Sequence, residues 1–264
     1  MAFDLDRVGG ERALRALVDE VLLSGEEALQ LYRTGAGDRA RLKPDQSPVT
    51  EADERLERRL REYCVKHFPG VGFLGEEHGT TAAAHGMRFI VDPIDGTRAF
   101  VRGIPTWSVL VGLEAGDEPV LGIAFMAAAG DLFVGVQGHG ATMNGRPVRV
   151  SEVQSLASAT VTHGALQQFT SSGVAHVLPR LAEKTAAQRG LADFDGYRQL
   201  LLGRVDAMID PGVKPWDICA AAVIVREAGG RLTDFAGRDT IHGGSSVATN
   251  SFVHDELVKL LNDP

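Results

Sequence analysis

The segment Asp92-Pro93-Ile94-Asp95-Gly96-Thr97, entered from the apolar run Phe89-Ile90-Val91, constrains this chain more than any other. Such a run reads as a buried strand, and a proline followed by Asp-Gly ends it in a turn. Two carboxylates three residues apart, a glycine and a hydroxyl then meet at one strand end. A turn of this kind can aim both carboxylates and the following backbone N–H groups into one pocket. Hard divalent cations take carboxylate and carbonyl oxygens, and phosphate oxygens take N–H donors and metal. The segment therefore reads as half of a metal-dependent phosphate site. Taken alone, it also reads as an Asx-type turn with a solvated acid.

Two further acidic elements have the same character. Gly75-Glu76-Glu77-His78-Gly79 follows the apolar Val71-Gly72-Phe73-Leu74, which puts Glu76 and Glu77 in a loop at a strand end. Trp216-Asp217 opens the apolar stretch from Ile218 to Ala228, just after Pro211, Gly212 and Pro215. Asp217 alone is ordinary punctuation for a helix start. Together with Glu76, Asp92 and Asp95 it becomes a fourth carboxylate from a distant part of the chain. Four carboxylates can share two or three magnesium ions, as in two-metal phosphoryl chemistry, and without cations that density of acid is costly.

With these motifs in order, the chain resembles the inositol monophosphatase family of magnesium-dependent, lithium-sensitive phosphatases. The resemblance runs from Ser47-Pro48-Val49-Thr50-Glu51-Ala52-Asp53 through Gly75-Glu76-Glu77 and Asp92–Thr97 to Trp216-Asp217-Ile218-Cys219-Ala220-Ala221 and Val247-Ala248-Thr249-Asn250. It implies an α/β fold, the layered αβαβα sandwich of the sugar phosphatases, and a homodimer. It implies that Glu76, Asp92 and the Ile94 carbonyl hold one Mg2+, and that Asp92, Asp95 and Asp217 hold a second. Glu76 would also help a weaker third ion. The backbone N–H groups of Gly96 and Thr97 would receive the phosphate. Thr97, hydrogen-bonded to Asp53, would position the attacking water and help deprotonate it. Asp53 is otherwise a surface acid on a helix from about Ala52 to His67, as its neighbours Glu51, Glu54 and Glu57 are expected to be.

Three further features resemble the histidinol-phosphate phosphatase branch of that family. The chain continues from Thr97 as Arg98-Ala99-Phe100-Val101-Arg102-Gly103-Ile104-Pro105, with a basic residue where inositol-type members usually carry Asn. The stretch Arg189-Gly190-Leu191-Ala192-Asp193-Phe194-Asp195-Gly196-Tyr197 keeps the branch's Arg, Asp and Gly-Tyr. It departs from the branch at Ala192, where glycine is usual, and at Asp195, where an aromatic is usual. Asp210, seven residues before Asp217, stands where inositol-type members carry a ring-binding glutamate. Arg189, Asp193 and Asp210 are thus the expected substrate residues, the two acids suiting the ammonium and imidazole of L-histidinol phosphate. The expected activity is hydrolysis of that ester to L-histidinol and phosphate, in histidine biosynthesis. An inositol, other sugar or nucleotide monophosphate is the alternative. A non-catalytic binding protein of the same fold is disfavoured because the whole acidic set is intact.

Composition narrows the class. A chain of 264 residues with 44% hydrophobic content can bury a sizeable core. A formal charge of -8 argues against a nucleic-acid or anionic-membrane partner. No run reaches the length of a membrane span, and no basic-then-apolar leader opens the chain, so the expected location is the cytoplasm. Cys64 and Cys219 are expected to be reduced thiols. Helices are expected at roughly Asp6–Thr34, Ala52–His67, Ala175–Glu183, Gly196–Gly203 and Asp217–Gly229, with glycine-turned strands from Phe89 to Val150 and a hairpin at Met143–Pro147. Residues 35–53 read as a loop, with Lys43 and Asp45 near the pocket mouth. The expected division is residues 1–145, carrying most metal ligands, and 146–264, carrying Asp217 and the substrate residues.

Overall fold

The computed structural model describes residues 2–35, 40–43, 48–81, 83–84 and 86–263; Asp45 and Ser47 lie outside them. The chain opens on a 3-10 turn, Leu5–Val8, which Gly9 at φ +86° separates from helix α1 (Gly10–Arg33), whose first residue has φ +75°. The single helix expected from Asp6 is therefore two pieces, because both glycines adopt the left-handed region that breaks a helix. Buried Leu17, Val21, Ser24, Gly25 and Ala28 form one stripe of α1.

The expected loop at 35–53 is shorter than its sequence suggests. It contains a two-residue hairpin, β1 (Arg41–Leu42) with β2 (Pro48–Val49), and its end already belongs to helix α2 (Glu51–His67). Thr50 caps α2: its hydroxyl accepts from the N–H of Ala52 at 3.1 Å, while Asp53 Oδ2 accepts from the Thr50 N–H at 2.8 Å.

Eight strands then form the first sheet: β3 (Gly72–Gly75), β4 (Gly79–Thr81), β5 (Met87–Asp95), β6 (Ser108–Ala115), β7 (Glu118–Met126), β8 (Asp131–Val136), β9 (Gly140–Met143) and β10 (Arg146–Pro147). Their order is β10-β9-β8-β7-β6-β5-β3-β4. Only the β3–β5 pair is parallel among the described neighbours of this sheet. Alternation divides the central strands cleanly. Phe89, Val91, Val109 and Val111 pack under α1 and α2, while Ile90, Leu110, Ala124 and Met126 face the other way. Strand β10 extends this sheet just past the expected division at 145.

The second sheet follows, ordered β12-β11-β13-β15-β14, from β11 (Thr160–His163), β12 (Ala187–Arg189), β13 (Ala207–Pro211), β14 (Arg231–Thr233) and β15 (Ser245–Thr249). A short helix α3 (Thr97–Val101) follows β5, and α4 (Leu166–Ser171) and α5 (Val177–Lys184) follow β11. Helices α6 (Asp193–Leu201) and α7 (Pro215–Glu227) lie between the two sheets, and α8 (His254–Asn262) joins α4 and α5 outside the second. The result is the five-layer αβαβα sandwich. Helix α6 starts three residues before the expected Gly196, at Asp193, whose φ is +56°.

Helix α7 explains why the middle layer is tight. Every residue from Ile218 to Val225 is buried, so the helix is apolar all round. A side chain at Gly122 would put its Cβ 2.2 Å from the Ala220 carbonyl oxygen, and one at Gly112 would meet Cys219 Sγ at 2.3 Å. Cys219 thus packs into the sheet at Gly112. Cys64 and Cys219 are both free and buried, and burial pushes both thiols well above their ordinary range. No described helix is long and apolar enough to cross a membrane.

Candidate active site

Asp92 and Asp95 stand three residues apart, an odd spacing that in a regular strand would send them to opposite faces. The β5–β6 ladder pairs Asp92 with Leu110 and Asp95 with Ser108, three steps on one strand against two on the other. This bulge at Pro93-Ile94 resets the alternation, and both carboxylates line one cleft. Asp92 Oδ1 accepts from the Ile94 N–H at 3.1 Å. Asp95 Oδ2 accepts from Ser108 Oγ at 2.9 Å and from the Phe194 N–H at 2.8 Å.

Register brings Glu76 to the same place. Gly75 of β3 pairs with Val91 of β5, and the Glu76 N–H donates to the Val91 carbonyl at 3.3 Å, so Glu76 follows beside Asp92. Lys43 Nζ donates to Glu76 Oε1 and Glu77 Oε1, both at 2.6 Å. Burial, which lowers the Lys43 pKa, is outweighed by these two carboxylates, which raise it. Burial pushes Glu77 up to about 7 against the pull of Lys43.

Thr97, after Gly96 at φ +80°, places Oγ1 3.2 Å from Asp53 Oδ1 and 3.0 Å from the Ile94 carbonyl oxygen, with its single proton available to either. The other Asp53 oxygen is held by Thr50 Oγ1 at 2.6 Å. Asp53 is fully buried in spite of its helix position, and burial pushes it up to about 6. Asp217 sits in the first turn of α7, where its Oδ2 accepts from the Lys214 N–H at 2.6 Å.

The cleft lined by Glu76, Asp92, Asp95, Thr97 and Asp217 holds about 520 Å³ and is also lined by Arg98, Asp193, Tyr197 and Asp210. Asp210, at the end of β13, is buried with its Oδ1 unpartnered. A Cβ at Gly164 would lie 2.1 Å from that Asp210 oxygen. Asp193 comes close to Gly96, where a Cβ would lie 2.9 Å from Asp193 Oδ2. Arg189 is placed differently. It ends β12, the edge strand of the second sheet, is exposed, donates through Nη1 to the Gln188 carbonyl at 2.7 Å, and does not line the cleft.

Sequence reasoning passed over two sets of residues. Gln167, Gln168 and Ser171 of α4 form part of the cleft wall, with no motif to signal it. Glu57, expected as a surface acid, is completely buried behind the Glu76–His78 turn. It shares one face of α2 with Asp53 at i, i+4 spacing, which does not by itself distinguish it from a solvated acid.

Burial and like charge dominate the electrostatics. Asp92 is held well above the ordinary carboxylate range by burial first, then by Glu76, Asp95 and Asp217. Asp95 is raised by burial, Asp193 and Asp217, and Asp210 by burial, Asp217 and Asp193. Asp217 rises to about 7 through burial, and Asp193 to about 6, burial outweighing Arg98. Carboxylates that raise one another in this way suit a hard cation, and the donor set is all oxygen, as Mg2+ prefers. A second acidic group, Glu114, Asp117 and His242, brings one ligand atom from each within 4.8 Å of the others. None of these three lines the cleft, and Glu114 is already engaged by Arg88 at 2.6 Å and His242 at 2.5 Å.

The model of the inositol monophosphatase family matches residues 11–263. The chain belongs to the inositol monophosphatase family. As a member of it, the chain is a phosphomonoester hydrolase. It is 39% identical over 242 residues to the histidinol-phosphatase of Mycobacterium tuberculosis, covering 89% of this chain and 93% of that one. It is 33% identical to a fructose-1,6-bisphosphatase/inositol-1-monophosphatase of Thermotoga maritima over 217 residues, 81% of this chain and 82% of the other. Among solved structures, an inositol monophosphatase from Thermotoga maritima superposes with TM-score 0.84 at 30% identity, covering 94% and 96% of the two chains. The extragenic suppressor protein of Bartonella henselae gives TM-score 0.87 at 26% identity, covering 96% and 99%.

Proposed function

We propose that this phosphatase is Mg2+-dependent and hydrolyses L-histidinol phosphate to L-histidinol and inorganic phosphate. Glu76, Asp92, the Ile94 carbonyl, Asp95 and Asp217 would hold the two to three Mg2+ ions. When bound, these ions supply the positive charge that lowers the pKa of water and stabilises the leaving oxygen. The backbone N–H groups of Gly96 and Thr97 receive the phosphate at the αL turn. Asp53 Oδ1 accepts a hydrogen bond from the Thr97 hydroxyl, which leaves the Thr97 oxygen lone pairs to orient the attacking water. As that water loses its proton to Thr97 Oγ1, the hydroxyl proton passes to Asp53. A carboxylate pushed up to about 6 is matched to that exchange near neutral pH.

The observation that carries the substrate reading is the unpartnered, buried Asp210 oxygen in the cleft wall. A carboxyl group held above its ordinary range by burial and like charge gains its negative charge when a cation comes beside it, so it suits an ammonium or imidazolium better than a neutral ring hydroxyl. Asp193 lines the same cleft and adds a second acceptor. The histidinol-phosphatase name of the Mycobacterium tuberculosis relative supports the same substrate. Arg189, exposed at a sheet edge, has no part in this single-chain reading.

The test is phosphate release with Mg2+, comparing histidinol phosphate and inositol monophosphate. The expected kcat/KM ratio is roughly 100-fold or more in favour of histidinol phosphate. Asp210→Ala should erode that ratio selectively. Equal turnover of the two esters, or equal losses in the variant, would contradict the assignment. A homodimer belongs to the same proposal, and analytical ultracentrifugation showing only monomer would remove it.

A further inference from the structure

Glu57 occupies an unusual place for a glutamate in the middle of a helix. It is 0% exposed, and its carboxylate makes four contacts. Oε2 accepts from the Glu77 N–H at 2.6 Å, and Oε1 accepts from the His78 N–H at 2.9 Å. Oε1 also meets His78 Nδ1 at 3.1 Å and Arg61 Nη2 at 3.2 Å. Two backbone donors of the turn that carries Glu76 are thus fixed by one carboxylate. The strand feeding the turn is shaped around it: a Cβ at Gly75 would lie 2.2 Å from the Glu57 carboxyl carbon.

Asp53 lies four residues earlier on the same helix face and holds Thr97. One rigid helix therefore sets the distance between the Thr97 turn and the Glu76 turn, two segments that β5 and β3 deliver separately. We infer that Glu57 is a positioning residue for the cation site, holding the Glu76–His78 turn so that the Glu76 carboxylate meets Asp92. This rests on the Mg2+ reading above. Partners that orient ligand-bearing segments typically influence metal affinity by 10–100-fold.

The test is calorimetric titration of Mg2+ into the metal-free wild-type protein and Glu57→Gln, with circular dichroism and thermal unfolding of both. Glutamine nearly conserves volume but presents an NH2 group where one turn N–H needs an acceptor. The expected result is a Mg2+ Kd raised about 10-fold or more in a folded variant. An unchanged Kd, with or without a lower Tm, would overturn the inference and leave Glu57 a structural residue. Should Glu57→Gln not fold, Gly75→Ala displaces the same contact while keeping the Glu57 charge, and its Kd decides in the same way. No Mg2+ binding by the wild type would instead overturn the metal reading itself, and the inference with it.

Discussion

Asp206 and Asp234 are 5% and 1% exposed, within the same narrow range as Asp92 at 3% and Asp95 and Asp210 at 6%, yet the two groups live under opposite conditions. Asp206 accepts from Ser151 Oγ on one oxygen and from the Thr160 N–H at 2.7 Å on the other. Asp234 accepts from the Arg238 N–H at 2.8 Å and from its Nε at 2.7 Å. In the cleft, Asp92 has Glu76, Asp95 and Asp217 as its charged neighbours, and Asp210 keeps an oxygen with no partner. Burial alone therefore does not mark a functional carboxylate. Burial among like charges does, because a fold retains that cost only where something else relieves it.

Substitution should act in opposite directions in the two regions. Asp92→Asn is expected to lower kcat/KM by roughly 1000-fold or more, since under the proposed function Asp92 would serve two cations at once. The same change should raise the Tm of the metal-free protein by relieving repulsion; a lower Tm would show that Asp92 is stabilising in its own right. Thr97→Ala, which removes the hydroxyl proposed to orient the water but none of the proposed metal ligands, should cost about 100-fold in kcat with the Mg2+ Kd unchanged. Asp206→Ala should instead destabilise by about 2 kcal/mol in urea unfolding, by stranding the Thr160 N–H, with kcat/KM intact.

The pH dependence sharpens the contrast. Asp53 and Asp193 at about 6 and Asp217 at about 7 stand above their ordinary 3.8, so the native metal-free state binds more protons than the unfolded state from about pH 4 to 7. Stability from these groups is present at the acid end and lost as pH rises through that window. Buried His254, pressed between Thr233 and Thr249 and lowered from 6.5 to about 4, works the other way, its contribution rising with pH from about 4 to 6.5. The carboxylates outnumber it, so the metal-free Tm should fall between pH 5 and 7, and saturating Mg2+ should flatten the fall. A Tm that rises over that range without metal would break the comparison. The smallest effect is expected from Arg231→Ala, whose exposed pair with Asp255 should matter by less than about 0.5 kcal/mol in the same unfolding assay.

Much of this was legible in the chain because the motifs are local. Asp92 and Asp95 sit in one six-residue segment, and Asp217 and Glu76 each border a strong apolar run. Proline at 93 already hinted that the strand could not continue regularly, although only the ladder shows that the bulge turns both acids to one side. Glu57 was not legible, since Glu54 and Glu57 look alike in a charged helix. Only the approach of the 76–78 turn makes one an exposed partner of Arg41 and the other a buried acceptor. Arg189 lies away from the cleft of its own chain for a related reason: its neighbours in sequence lie close to the cleft, but β12 carries it to the sheet edge. Tertiary placement decided these positions, and no local pattern encodes it.

The most direct measurement is calorimetric titration of Mg2+ into metal-free protein at pH 6.5, in two buffers of different ionisation enthalpy, for the wild type and Asp92→Asn. Crowded carboxylates with raised pKa values predict Mg2+ binding by the wild type with release of protons, and binding weakened severely in the variant. No binding, or equal binding by both proteins without proton release, would contradict the claim that these carboxylates are held together for a cation.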